Sequence, residues 1–443
     1  MNRLPLHFLW LIPTALSAAE IQVSNLTELA AAAAQSGNRV TMKPGLYHLT
    51  DYIAPASIPE RRRQKQWPLF VFSGSENTFL LKDVTIEVDT TLRQKLNPPV
   101  HTDEFLVTGT GNTIEGLTLR HTGTGTSPGG AALAIRGASN TVRQCTLHVT
   151  GSFPYGYGDL FGKGGPGVIP HRKKSGLLIT GNGTHVDGCR LFMRSFGHGI
   201  YIQENAASVL IENCTVEGEM RSTTEMLAET SGPAFNVGFR TVNPNREGQH
   251  KILPGHMKSL CEDGFRSYGS HKSLVVRNCT AKHMRGGFEL RSQTGVRVEN
   301  CTATGNERSF WITDDADVVN CQGDASFGPL FFIEGRNAQV DLRLHPDVSA
   351  ASVHAAGTIQ GSGHKVRLTA TQERPKAVPV MIGWATPPAG EGMGKIQERP
   401  AKQIEFINGT TMPVMLGSRS KKCTLISRGP NTDHGRGNTV KSP

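Results

Sequence analysis

The chain has 443 residues, with 50 Gly, 6% aromatic and only 19% charged residues. That balance excludes a coiled coil, which needs far more Ala, Glu, Lys and Leu, and bulk disorder, because short apolar runs recur nearly to the C-terminus. Lys and Arg number 47 against 37 Asp and Glu, a formal +10 that favours a polyanionic partner. Mean hydropathy is −0.30, and no apolar run past the N-terminus reaches the ~18 residues of a membrane helix.

In chain order, residues 1–19 read as a signal peptide. Arg3 is the positive start, Leu4 to Leu16 is the apolar stretch, and Ser17-Ala18-Ala19 supplies small residues for cleavage. A secreted or periplasmic protein is therefore expected. Leu26-Thr27-Glu28-Leu29, followed by five Ala and Gln35, predicts a short helix ended by Gly37 and Asn38. Such a helix would cap the otherwise open strand edge at the start of a sheet. Arg39 to Tyr47 predicts a first strand and a turn at Pro44-Gly45.

A repeat then emerges. Cys145, Cys189, Cys214, Cys279, Cys301 and Cys321 are separated by 44, 25, 65, 22 and 20 residues, near multiples of 22. Asn213-Cys214-Thr215, Asn278-Cys279-Thr280 and Asn300-Cys301-Thr302 are near copies. Each follows an alternating strand such as Ser208 to Glu212, and each alternating strand follows another that begins Gly-apolar, such as Gly199-Ile200-Tyr201-Ile202. Two or three strands per ~22-residue coil, with Asn at a corner, predict a right-handed parallel β-helix. It is all-β and one domain, residues 20–420. The cysteines would stack inward as free thiols instead of forming disulfides. Residues 421–443 read as a C-terminal strand and a flexible tail.

Two segments break the rhythm. Residues 151–175 carry Phe153, Tyr155, Tyr157, Asp159, Lys163, His171, Arg172, Lys173 and Lys174. Residues 218–262 carry Arg221, Arg240, Arg246, His250, Lys251, His256 and Lys258. Solenoid insertions tend to emerge on one face and wall a groove.

Stacking the Gly-apolar strands converts sequence into a surface. Tyr201, Arg266, Glu289 and Trp311 share one outward column. Gln203, Tyr268, Arg291 and Thr313 stand two residues further on, and His198, Asp263, Gly286 and Arg308 just before. Coils lie ~4.8 Å apart, so His198, Tyr201, Arg266, Arg285, Arg291 and Arg308 would face one cationic groove, with Lys258 entering from the side. The competing reading pairs these arginines with Glu289 and Asp263.

The opening helix, the Gly stop and the Pro44-Gly45-Leu46-Tyr47 turn resemble the start of secreted parallel β-helix polysaccharide lyases. The groove is similar to that of alginate lyases in which a Tyr and a Lys move protons and arginines hold the carboxylate. The resemblance implies β-elimination on a uronic-acid polymer, alginate first, with Tyr201 and Lys258 catalytic and His198, Arg266, Arg285, Arg291 and Arg308 binding substrate. Elimination needs cations at the C5 carboxylate, a base for the C5 proton and an acid for O4. The chain also resembles chondroitin- and alginate-cleaving β-helix lyases, but their Lys-Ser falls near Arg266-Ser267 and their Arg-His-Gly near Arg291-Ser292-Gln293. That departure weakens a calcium-assisted mechanism, so no metal or other cofactor is required and calcium is only an optional aid. A glycoside hydrolase, suggested by Gly197-His198-Gly199 and Asp314-Asp315, an epimerase on the same polymers and a non-catalytic carbohydrate-binding solenoid are the alternatives. The expected partner is an acidic polysaccharide, with no nucleic acid and no membrane, and the expected state is a monomer.

Overall fold

The computed structural model describes residues 18–443 except 165–166, 205, 293–294, 347–352, 373–377 and 386–392. Most of the expected signal peptide, residues 1–17, lies outside the described residues; Ala19 already stands in strand Ala19–Val23.

The chain winds into a right-handed parallel β-helix. Each complete coil contributes one strand to a front sheet and two to a larger back sheet, giving sheets of 13 and 23 strands among the described residues. The coil around Cys214 shows the unit. Ile200–Ile202 lies in the front sheet, and Leu210–Glu212 and Thr215–Glu217 lie in the back sheet. Between the two back strands the chain turns at Asn213. Asn213, Asn278, Asn300 and Asn320 have φ of 56°, 54°, 52° and 51°, a left-handed region that Asn tolerates better than most residues. Their amides also link coils: Asn278 Nδ2 donates to Asn213 Oδ1 at 3.4 Å, and Asn320 Nδ2 to Asn300 Oδ1 at 2.7 Å. This is why Asn recurs before each cysteine.

The residue after the corner points inward. All eight cysteines are free and buried. In the ladder each thiol donates to a carbonyl of the preceding coil, as Cys189 does to Val142 at 3.5 Å and Cys301 to Val276 at 3.6 Å. Behind the front sheet, Phe265, Phe288 and Phe310 stack with ring centroids 4.7 and 5.2 Å apart. Thiols on one side and rings on the other fill the solenoid, as the close packing of protein interiors requires.

The N-terminal helix is Leu26–Ala33. Asn25 caps it by accepting from the Glu28 N–H, and Leu26, Leu29, Ala32 and Ala33 are its buried face against the first strands. At the other end, residues 421–443 depart from the expected flexible tail. Thr424–Ser427, Asn431–Asp433 and Thr439–Lys441 continue the coils in parallel pairing. Thr424–Ser427 keeps the alternation, with Leu425 buried, but the last two strands are fully exposed, so the apolar alternation that marks other coils is missing from the sequence there.

The long insertion leaves the stack intact. Leu210–Glu212 pairs directly with Val275–Arg277. The excursion between them is closed at its base by the antiparallel strands Met220–Ser222 and Met257–Ser259, with Arg221 opposite Lys258. The first insertion packs onto this stem. Tyr155 and Tyr157 donate to Glu219 and Glu229 at 2.5 and 2.8 Å. At Gly158 (φ +55°) a Cβ would fall 2.1 Å from the Ser259 carbonyl oxygen, so only glycine allows that approach.

Candidate active site

The front-sheet register matches the expected columns. Tyr201 pairs with Arg266, Arg266 with Glu289 and Glu289 with Trp311. Their side chains point outward, yet most are covered. Arg266 is 4% and Glu289 1% exposed. Arg266 and Arg308 both form ion pairs with Glu289. Arg285 embraces Asp263, its Nη2 lying 2.9 and 3.0 Å from the two carboxylate oxygens, and stands 3.4 Å from both Asp159 and Glu262. Three of the expected carboxylate-binding arginines are thus occupied by protein carboxylates. Burying a guanidinium without a partner costs several kcal/mol, and outward cations as covered as these cannot rely on water.

Lys258 requires a larger correction. It is 1% exposed and clamped between Asp159 Oδ1 at 2.6 Å and Glu307 Oε2 at 2.7 Å. It stands in the stem of the insertion, where it ties both insertions to the coils, and does not reach over the groove. Tyr201 differs from expectation too. It lies at the groove floor, 8% exposed, against Ala131, Ala134 and Leu178. Burial and then Asp103 push its phenol up, away from the phenolate that neighbouring cations would favour. Its ring is 5.5 Å from that of His198.

The open surface belongs to the next column. A cleft of about 1120 Å³ is lined by Trp67, His101, Arg172, His198, Tyr201 and Tyr268, among others. A second hollow of about 460 Å³ begins at Tyr268 and continues past Arg291 and Thr313 to Asp314 and Glu334. Tyr268, 38% exposed, stands where the two meet. Its hydroxyl is 2.8 Å from His198 Nε2, and His198 Nδ1 is 3.2 Å from Asp263 Oδ2. Glu262 Oε2 lies 3.4 Å from Nε2. The Arg266 guanidinium sits 4.4 Å over the Tyr268 ring.

These carboxylates are charged. Burial opposes ionisation of Asp263, but Arg285, the His198 hydrogen bond and Arg266 outweigh it and hold the carboxyl well below the usual range. Glu262 is lowered in the same way, burial being outweighed by His198, Lys173 and Arg285. Tyr268 is pushed up to about 12 by burial, which Arg266 partly offsets, so the phenol rests protonated. Arg291 lies flat on Trp311 at 4.4 Å and, among the described residues, has no carboxylate partner. Its N–H edges remain available to an anion beside Tyr268.

The structure therefore brings His198 and Tyr201 to the large cleft and Arg291 to the hollow that adjoins it, buries Arg266, Arg285, Arg308 and Lys258 in ion pairs, and adds Tyr268 where the two spaces meet. The signal for Tyr268 is its place in the outward column with Gln203, Arg291 and Thr313. No cluster of three or more His, Cys, Asp or Glu suited to a metal occurs among the described residues, and no helix among them is long and apolar enough to cross a membrane.

No protein-family model matches the chain, and a search of curated proteins finds no match. Solved structures do share its fold. The alginate lyase AlyF-OU02, solved with G6, superposes with a TM-score of 0.52 at 11% identity, over 94% of this chain and 87% of that one. A PL6 alginate lyase solved with a trisaccharide gives 0.49 at 11% identity, over 94% and 87%. The A-module of the mannuronan C-5 epimerase AlgE6 from Azotobacter vinelandii gives 0.42 at 10%, over 90% and 100%. What the chain has in common with the first of these is the parallel β-helix itself.

Proposed function

We propose that the protein is a polysaccharide lyase that cleaves a uronic-acid polymer, alginate before pectate or glycosaminoglycan, by β-elimination. The observation that carries this reading is the Asp263–His198–Tyr268 chain of hydrogen-bonding groups, which ends in an exposed phenol next to Arg291. Arg291 binds the C5 carboxylate and stabilises the enolate as charge moves onto it. Tyr268 is the group that exchanges protons with the sugar. His198 stands behind it as the relay that accepts the phenolic proton and returns it, steadied by Asp263. Arg266, stacked on the Tyr268 ring, favours the transient phenolate. Arg172 and Lys173 at the wall of the large cleft draw the polyanion in. The fold neighbour AlyF-OU02 is an alginate lyase, which is consistent with this choice of polymer.

Export, a monomeric state and independence from calcium belong to the same proposal. The test is ultraviolet absorbance of the unsaturated product across a panel of uronic polymers, with and without chelator. A hydrolase would release reducing ends without that absorbance, an epimerase would change the uronate composition without chain cleavage, and a binding module would release nothing. Any of these outcomes would overturn the lyase reading.

A further inference from the structure

The charged groups beneath the cleft form one connected chain that begins on the first insertion. Asp159 is fully buried, with Lys258 Nζ 2.6 Å away, Lys163 Nζ at 3.4 Å and Arg285 Nη1 at 3.4 Å. Burial opposes its ionisation, but Lys258, Lys163 and Arg285 hold it well below the usual carboxylate range. Arg285 is shared between Asp159 and Asp263, and Asp263 between Arg285 and His198. A guanidinium is a rigid planar fork that can hold one carboxylate bidentately while another N–H reaches a second, a fixed geometry that an ammonium on a flexible stem does not impose.

We infer that Asp159, acting through Arg285 and Asp263, is a positioning residue that sets how strongly His198 is held and so tunes the His198–Tyr268 pair. This rests on the proton-relay reading above. Each negative charge on Arg285 competes with the other. While Asp159 draws on the guanidinium, Asp263 keeps more of its charge for the His198 ring. The insertion is therefore coupled to the chemistry by a shared arginine as well as by shaping the cleft. The charged and titratable groups around His198 are Asp263 and Glu262 beside its nitrogens, Tyr268 hydrogen-bonded to it and Tyr201 against its ring. Behind these stand Arg266, Arg285 and Lys173, paired to the same carboxylates. Asp159 thus acts at one remove, and its effect must be read on His198.

Two substitutions push the coupling in opposite directions. Asp159→Asn removes the competing charge, so Arg285 closes on Asp263 and the imidazole loses part of its counter-charge. The His198 titration, followed by ¹⁵N NMR of the full-length protein, should move to lower pH by roughly half a unit or more. The acidic limb of kcat should move with it while KM stays within about threefold. Arg285→Lys keeps the charge but loses the fork, which frees Asp263, so the same titration should move to higher pH. Asp159→Glu should restore wild-type behaviour. General loosening of the insertion would shift both variants the same way, and that result, or no shift in either, overturns the inference. If Asp159→Asn does not fold, the upward shift in Arg285→Lys decides alone. The NMR readout needs no turnover, so a protein without lyase activity but with opposite shifts would sink the lyase reading and leave the coupling standing.

Discussion

Two outward columns of the front sheet stand two residues apart and have opposite fates. Tyr201, Arg266, Glu289 and Trp311 point away from the core, yet Arg266 and Glu289 are almost wholly buried and neutralise each other with help from Arg308. Gln203, Tyr268 and Arg291, at the strand ends, line open space, and only Thr313 of that column is buried. Period-2 alternation determines the direction of a side chain, but what folds across it decides whether a ligand can reach it. The first column is an electrostatic foundation, and the second is the one a ligand can reach.

The sharpest way to break that distinction is to remove one hydroxyl from each column. Tyr268→Phe should lower kcat by ~10²–10⁴-fold, the worth of a positioned acid or base, with KM little changed. Tyr201→Phe should cost less than ~10-fold. Steady-state kinetics on the preferred polymer check both, and a reversed order would return the chemistry to the buried column.

Lys258→Met tests the foundation itself. It strands Asp159 and Glu307 without their shared cation, so unfolding free energy should fall by about 3–5 kcal/mol, the usual loss on breaking a buried pair. Urea denaturation measures this. A Lys258 variant that is stable and inactive would mean that the ammonium takes part in catalysis after all.

Arg291→Ala, in the open column, should lower kcat/KM by roughly the 1.5–3 kcal/mol of a charged hydrogen bond and leave the urea midpoint unchanged. Arg266→Ala should show the reverse weighting, with stability lost first because Glu289 is left buried. Paired kinetics and denaturation of the two variants test this contrast.

The smallest expected effect concerns pH. Burial and then Lys173 hold the His171 imidazole down to about 4, and burial does the same for His256. Because their folded values lie below the unfolded 6.5, the unfolded chain binds more protons between those limits. Stability should therefore fall as pH drops from about 6.5 towards 4. Below that, the depressed carboxyls of Asp159, Glu262 and Asp263 take over the loss as they are protonated. His171→Gln should flatten the first decline in thermal midpoint, and an unchanged slope would remove His171 from the account.

Much of this molecule is legible in the unfolded chain. The Asn-Cys-Thr triplets carry the coil because a left-handed corner favours Asn and the solenoid interior favours a small apolar thiol. Strand alignment alone yields the columns, and with them His198 and Arg291. The same alignment puts Tyr268 in its column without singling it out, because nothing in a repeat pattern tells which of two outward columns is covered. The expectation for Lys258 fails for a related reason. Insertions have no period, so sequence cannot reveal that it faces Asp159 and Glu307 inside the stem. His121 is buried 2.7 Å from Glu104, again a partner that spacing does not disclose.

The unbroken register across the insertion also sets a constraint on substrate choice. Leu210–Glu212 meets Val275–Arg277 as though the intervening segment were absent, so each front-sheet group along the proposed cleft stands on a rung of fixed height, ~4.8 Å from the next. A group can be moved along the polymer by whole rungs but not by fractions of one. Specificity in such a molecule changes digitally, by which rung carries a charge, and the sugar repeat that fits must be commensurate with the ladder.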